Sequence, residues 1–380
     1  MRVLHVVSTG RRRGAEVFAS DLVTALAEDR VEQQVAVLRG TEPRDVDYRA
    51  PVTVVGDYRP NEALRLGTVR SLRGVLREWE PDIIQAHGGE ALKYSFLADG
   101  RKGHRVVYRR IGSVHPRTTF GLRKAGYGAM MRRASRVVAL GEAAREETIR
   151  VFGVRPERIV TIPNGVDLRR IRPRRTRDQV RRSLGVRAEA FVVLSLGALT
   201  WEKDPLVQVD VATRVLRRSD RAVYLIAGEG PLYPDVARAV DEARLGGRVH
   251  LLGNRADPGD LLASSDVLLM TSRTEGVPGA AIEGAMAGVP VVAYATGGIS
   301  EAVLGGTTGV LARPGDPEAL AGHVLALLDD EAGRLAMGRA ALEWGRSRFD
   351  IGVVAPRYLR LYRDVMANGP GPTVDQEVAP

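Results

Sequence analysis

The chain has 380 residues, a formal net charge of +10 and no cysteine. A single core rarely grows that large, so the length predicts two domains, and the missing cysteines exclude disulfides and thiolate metal sites. The charge invites a nucleic-acid partner, but only Lys93, Lys102, Lys124 and Lys203 among the 56 basic residues are lysines, and the arginines are interleaved with acids, which argues against nucleic acid.

In chain order the pattern is strand, loop, helix, repeated. Arg2–Val7 is a short apolar run, too short for a signal-peptide core, followed by the loop Gly10–Gly14 and a helical stretch Ala15–Ala27. Val35–Leu38 and Val52–Val55 predict strands, Val69–Glu78 a helix, and Ile83–Ala86 a strand after Pro81. Arg105–Tyr108 and Arg136–Leu140 complete this set. Short apolar runs between helices indicate a parallel sheet covered on both faces. Residues 165–190 are arginine-rich and read as a connection. The pattern restarts at Phe191–Leu196. Asp204-Pro205 predicts a helix start, with an acid at the cap and proline at the first helical position. Strands are expected at Val223–Ala227, Val249–Leu252, Val267–Met270 and Val291–Tyr294. Asp350–Met366 is a last amphipathic helix, and Ala367–Pro380 a Pro/Gly-rich tail.

The fold class is therefore α/β: two Rossmann-like, doubly wound parallel-sheet domains facing a cleft. The expected boundaries are 1–168, 169–349, a helix at 350–366 returning to the first domain, and a flexible tail at 367–380. No stretch approaches the roughly 18 apolar residues of a membrane helix, so a cytoplasmic location is expected. Phe120–Arg136 alternates basic and apolar residues. It reads either as a helix with a core-facing stripe or as a peripheral contact with anionic lipid at the inner membrane face.

The segment TSRTEGVPGAAIEGAMAGVPVVA, starting at Thr271, is the most informative. It follows the strand Val267–Met270 with a glycine-rich loop, Ser272–Gly279, and then a helix, Ala280–Ala287. Ligands of open α/β sheets bind beyond the carboxyl ends of strands, and a helix N-terminus there suits a phosphate. Gly276 and Gly279 allow close backbone approach. Glu275 lies in the loop and Glu283 about one turn into the helix. Two carboxylates touching a diphosphate would repel it. Flanking it, they can accept hydrogen bonds from hydroxyl groups, with a sugar on one side and a ribose on the other.

This Glu-x7-Glu pair resembles the signature of retaining GT-B glycosyltransferases of family GT4. The resemblance spans roughly residues 1–366. It is carried also by IPNGVD at Ile162–Asp167, LGALTWEKDP from Leu196, AGEGPL from Ala227, TGGISE from Thr296 and GVLARPGDPEAL from Gly309. It implies transfer of a sugar from a nucleoside diphosphate donor, UDP favoured and GDP second, to a hydroxyl acceptor, with retention at the anomeric carbon. It implies that Glu283 binds the ribose and Glu275 the transferred sugar, the latter helped by the backbone of Gly276, Val277, Pro278, Gly279 and Ala280. Lys203 would meet the diphosphate and offset leaving-group charge, Gly228 would line the donor site, and Gly14 would let ligands approach the first domain. No cofactor and no metal is implied. The acceptor would be a glycan, a lipid-linked glycan or a small molecule.

Two departures stand out. The family usually has Gly-Arg-Leu where this chain has Gly197-Ala198-Leu199, so Lys203 lacks its cationic neighbour; Arg255 is a candidate substitute. The family often has a histidine where VVYRRIGS places Ile111. His87, Arg109, Arg110 and His115 are the acceptor-side candidates. Competing readings are a nucleotide-sugar epimerase or hydrolase on the same plan, and a two-domain binding protein without catalysis. A nicotinamide-dependent oxidoreductase is opposed by the missing GxGxxG fingerprint between Ser8 and Glu16.

Overall fold

The structure is a computed structural model and describes residues 1–40, 45–57, 64–100, 103–111 and 121–368. The chain forms two compact units, Met1–Gly165 with the segment from Ile351 onward, and Val166–Asp350. Each is built on one parallel sheet with helices between most successive strands, so the α/β, doubly wound class holds for both.

The first unit contains β1 (Arg2–Thr9), β2 (Glu32–Arg39), β3 (Val52–Val54), β4 (Ile83–His87), β5 (Arg105–Arg109), β6 (Arg136–Ala139) and β7 (Ile159–Thr161). Their order across the sheet is β3-β2-β1-β4-β5-β6-β7, and every pairing is parallel. Val3, Leu4, Val6 and Val7 of β1 have no exposed surface. A run of apolar residues buried on both faces gives a sheet with no solvated side, at about 1.5–3 kcal/mol for each buried side chain. The strand β7 was not expected from the sequence; its three residues are too few to show a period. Helix Gly14–Leu26 and the last helix, Ile351–Asn368, share one cluster, in which Phe18 and Leu22 meet Val354, Tyr358 and Tyr362. The Tyr362 hydroxyl donates to Gln85 Oε1 at 2.9 Å, and Arg136 pairs with Asp364 at 2.9 Å.

Of the basic–apolar stretch at 120–136, the helix is Gly121–Arg133. Met131 is buried, with Tyr127 and Met130 packed against the same core, while Arg132 and Arg133 are exposed and donate to the carbonyls of Phe152 and Gly100. Its apolar side faces the protein. No helix among the described residues is long and apolar enough to cross a membrane.

The second unit contains β8 (Phe191–Leu196), β9 (Ala222–Ala227), β10 (Val249–Gly253), β11 (Val267–Met270), β12 (Val291–Tyr294) and β13 (Gly309–Ala312), in the order β10-β9-β8-β11-β12-β13. Again every pairing is parallel. The stretch read as a connection is not irregular: it holds helices Leu168–Ile171 and Arg177–Ser183, the latter closed by a Thr176/Gln179 capping box. In both sheets the order reverses once, at β1/β4 and at β8/β11. Outward connections diverge there and leave a crevice at the carboxyl ends.

His5 and His87 are fully buried on β1 and β4, with ring nitrogens 3.1 Å apart; the other His5 nitrogen meets Gln33 Oε1 at 3.1 Å. Burial lowers the His5 pKa to about 4 and also lowers that of His87. A depressed histidine pKa gives stability that is full above the unfolded value of about 6.5 and is lost as pH falls through the folded value. The His5→Gln variant is therefore expected to lose less of its unfolding midpoint than the wild type between pH 6.5 and 4. Parallel midpoint curves over that window would refute the assignment.

Candidate donor site

The second unit's switch point is where the chemistry-bearing residues gather. After β8 the chain makes one tight turn, Trp201–Lys203, before helix Pro205–Leu216. After β11 it runs through Thr271–Pro278 before helix Gly279–Met286. Lys203 from the first loop reaches Glu275 in the second, Nζ to Oε1 at 2.5 Å. The Ser272 hydroxyl donates to the same oxygen at 2.6 Å. Both of these bonds fall on Oε1 and neither on Oε2. The loops are cross-tied: the Thr271 hydroxyl lies 3.0 Å from the Lys203 carbonyl and 2.9 Å from that of Asp204, and Arg273 N–H donates to Glu202 O at 2.9 Å. A small cavity here is lined by residues 195–199, Lys203, Thr271 and Ser272.

Asp204 precedes the helix as expected but does not cap it. Its backbone is left-handed, φ +47°, and its carboxylate turns to Arg273 at 2.7 Å. Such a conformation costs roughly 1–2 kcal/mol outside glycine, and the ion pair and the Thr271 contact hold it in place.

Glycines set the loops. A Cβ on Gly297 would lie 1.9 Å from the Glu275 carbonyl oxygen, and its φ of +54° already demands glycine. Gly298 passes close to the Gly276 carbonyl and donates to that of Glu275 at 3.3 Å, while Thr296 Oγ1 donates to Ser272 O at 3.0 Å. The TGG segment after β12 is thus the backing of the Glu275 loop. On the other side, a Cβ on Gly228 would stand 1.8 Å from Gly197 O, and one on Gly230 2.3 Å from Leu199 O. The AGEG segment therefore packs flat on the loop after β8.

Helix Gly279–Met286 starts at Pro278, which has no side-chain group to cap its first N–H groups. Val277 is buried beneath this start. Gly279 has nothing within 4 Å of an added Cβ, and Ala280 is partly buried. Glu283, one turn in, is paired with Arg170 at 2.8 Å. Arg170 comes from the short helix Leu168–Ile171, and sequence reasoning missed it because 113 residues separate the partners. Arg255 is held bidentately by Asp257 at 2.8 and 2.7 Å, within an acidic–basic cluster that includes Arg175 and Asp260. No described contact brings it to Lys203.

In the first unit, His87 is buried beside His5 and Phe18. Arg109 is wholly buried, 3.9 Å from the Phe18 ring centroid and hydrogen-bonded to Asn164. Arg110 is buried and bonded to Ala144 O at 2.6 Å, Thr148 Oγ1 at 2.9 Å and Glu147. Both arginines thus serve internal ties. Ile111 is half-buried at the end of β5, and His115 lies outside the described residues. Gly14 opens the first helix with nothing within 4 Å of an added Cβ.

The family model described as Glycosyl transferases group 1 matches residues 176–344, and the model for Glycosyltransferase Family 4 matches residues 12–170. The chain belongs to the GT4-type, GT-B glycosyltransferases. Among its relatives is a D-inositol 3-phosphate glycosyltransferase of Catenulispora acidiphila, 28% identical, with 97% of this chain and 91% of the relative covered. A 2-deoxystreptamine glucosyltransferase of Streptomyces kanamyceticus is 29% identical, with 90% and 96% covered. The fold matches that of Anabaena HepE, solved in complex with UDP and glucose, at a TM-score of 0.83 and 23% identity, over 96% of this chain and 100% of that one. This GT4-type chain is a glycosyltransferase.

Gly297→Ala is expected to cut turnover more than tenfold, because the Glu275 loop must move, while lowering the unfolding midpoint by only a few degrees. Unchanged turnover would show that the loop's position does not matter. Gly14→Ala meets open space, so its stability should match or exceed that of the wild type by up to about 1 kcal/mol; a clear loss of midpoint would contradict the geometry.

Proposed function

We propose that this glycosyltransferase moves a sugar from a nucleoside diphosphate sugar, preferably a UDP-sugar, to a hydroxyl acceptor with retention at the anomeric carbon. The observation that carries the reading is the Lys203–Glu275 pair at the switch point, in front of an uncapped helix N-terminus. UDP is favoured because HepE was solved with UDP and glucose.

In this reading the diphosphate lies against the start of helix Gly279–Met286, with Lys203 on its other side. Lys203 and the helix dipole together offset the charge that develops on the departing phosphate. Glu275 accepts hydroxyl groups of the transferred sugar on the oxygen that Lys203 and Ser272 leave open. Glu283 offers its oxygens to the ribose, oriented by Arg170. Gly228 keeps the loop after β8 low beneath the donor. The departing phosphate itself takes the acceptor proton on the same face of the ring, so no side chain is assigned as nucleophile and none as base. Catalysis is positioning and charge stabilisation. Because cationic groups of the chain meet the phosphates, the reaction is proposed to need no metal and no cofactor. The relatives' names support a small polyol, aminocyclitol or glycan as acceptor class.

Glu275→Ala is expected to lower kcat/KM by about 10²–10³-fold, the range for losing one group that acts in the transition state. Glu283→Ala should chiefly raise the KM for the donor, about tenfold. Both are read by nucleotide release with and without acceptor, in buffer containing EDTA. Sugar release or epimerisation indifferent to every acceptor would replace transfer by hydrolysis or epimerisation, and full activity of Glu275→Ala would remove the acidic pair from the site.

A further inference from the structure

Trp201 is the first residue of the turn that carries Lys203, and it is 61% exposed. The floor of the donor site is otherwise closed: Thr271, Ser272, Glu275 and Val277 are all buried. A large indole left open at the rim of such a site forgoes apolar burial, yet its turn is fixed rather than loose. Lys203 N–H donates to Thr200 O at 3.1 Å, Asp204 N–H to Trp201 O at 3.3 Å, and Arg273 N–H to Glu202 O. The Arg273 guanidinium sits 5.4 Å from the centroid of the Trp201 ring. That stack sets the ring's orientation.

Charge identifies what the ring would take. The Arg273 charge, the one that lies against the ring, is matched by Asp204 at 2.7 Å. The platform is thus an aromatic face whose stacked cation is already compensated, which suits a neutral polyhydroxylated ring rather than a second anion. Such a ring presents a face of C–H bonds, weakly positive at hydrogen, that stacks on the negative face of an indole. The residues assigned to the donor lie on the floor, which leaves this exposed ring, two residues from Lys203, to the other substrate.

We infer that Trp201, oriented by Arg273, is an acceptor-binding platform that stacks a neutral sugar or cyclitol ring beside Lys203. The inference rests on the sugar-transfer reading for the word acceptor, and on the local geometry alone for the stacked ring.

The test titrates myo-inositol and methyl α-glucoside into the full-length wild type, Trp201→Ala and Trp201→Phe, each saturated with UDP, by calorimetry and tryptophan emission. At least one ring is expected to bind the wild type saturably and change its emission. Trp201→Ala should weaken that binding about tenfold and Trp201→Phe much less, with UDP affinity kept within twofold and unfolding midpoints unchanged. The inference is overturned if no ring binds, if ring affinity is equal in Trp201→Ala, or if UDP affinity falls instead, which would give the indole to the nucleobase. A separate transfer assay on the wild type keeps the two readings apart. Ring binding through Trp201 with no transfer would sink the proposed function alone, and transfer with Trp201-independent binding would sink this inference alone.

Discussion

The Lys203–Glu275 contact is the interaction on which the rest of the second unit's architecture converges. It joins the loops after β8 and β11, the two strands at which the sheet order reverses. Its own contribution to stability is small. Lys203 keeps about a third of its side chain exposed, and pairs open to solvent are worth about 1 kcal/mol or less. The surrounding structure is nevertheless arranged to hold it, with the Ser272 hydroxyl on the same carboxylate oxygen and the Thr271 hydroxyl on the Lys203 carbonyl. A weak pair fixed by several independent ties points to a requirement of position rather than of folding energy.

The same logic explains the glycine motifs. TGG after β12 and AGEG after β9 each pack against the carbonyls of a neighbouring loop at distances no side chain tolerates. Neither segment needs to touch a ligand to matter. They set how high the Glu275 loop and the Gly197–Leu199 loop stand above the sheet, and so where Glu275 and Lys203 end. Motifs that in the sequence are only a resemblance become, in the fold, the two supports of one crevice.

Much of this was legible in the sequence because it is local. Apolar runs of five or six residues between helices announce buried parallel strands, and a glycine-rich loop between Val267–Met270 and a helix announces a ligand end. What was not legible depends on distance or on competition. Arg170 meets Glu283 across 113 residues, from a stretch whose arginines look like those of any solvated connection. Asp204 has the residue type of a helix cap, but Arg273 competes for its carboxylate and wins with an ion pair at 2.7 Å. β7 and β13 are short and lie at sheet edges, where length, not composition, hides them. Arg109 and Arg110 look alike as candidates for a ligand; only packing shows one against Phe18 and Asn164 and the other against the helix Glu142–Phe152.

Those two arginines also bear on how the two switch points differ. A buried guanidinium is costly unless it is bonded, and Arg109 has a pKa lowered by desolvation despite the nearby Tyr358 and Glu16. Glu16, buried nearby at the start of the first helix, is pushed up to about 7 by the same desolvation. Below that value the carboxyl is largely neutral, and burial also disfavours the charged forms of His5 and His87, so the β1/β4 switch point carries little fixed charge besides Arg109. The second unit does the opposite. It pairs Lys203 with Glu275 and Arg273 with Asp204 at its own switch point. One fold used twice thus supplies two electrostatic environments, and the difference comes from which side chains were placed at the ends of the same two strands.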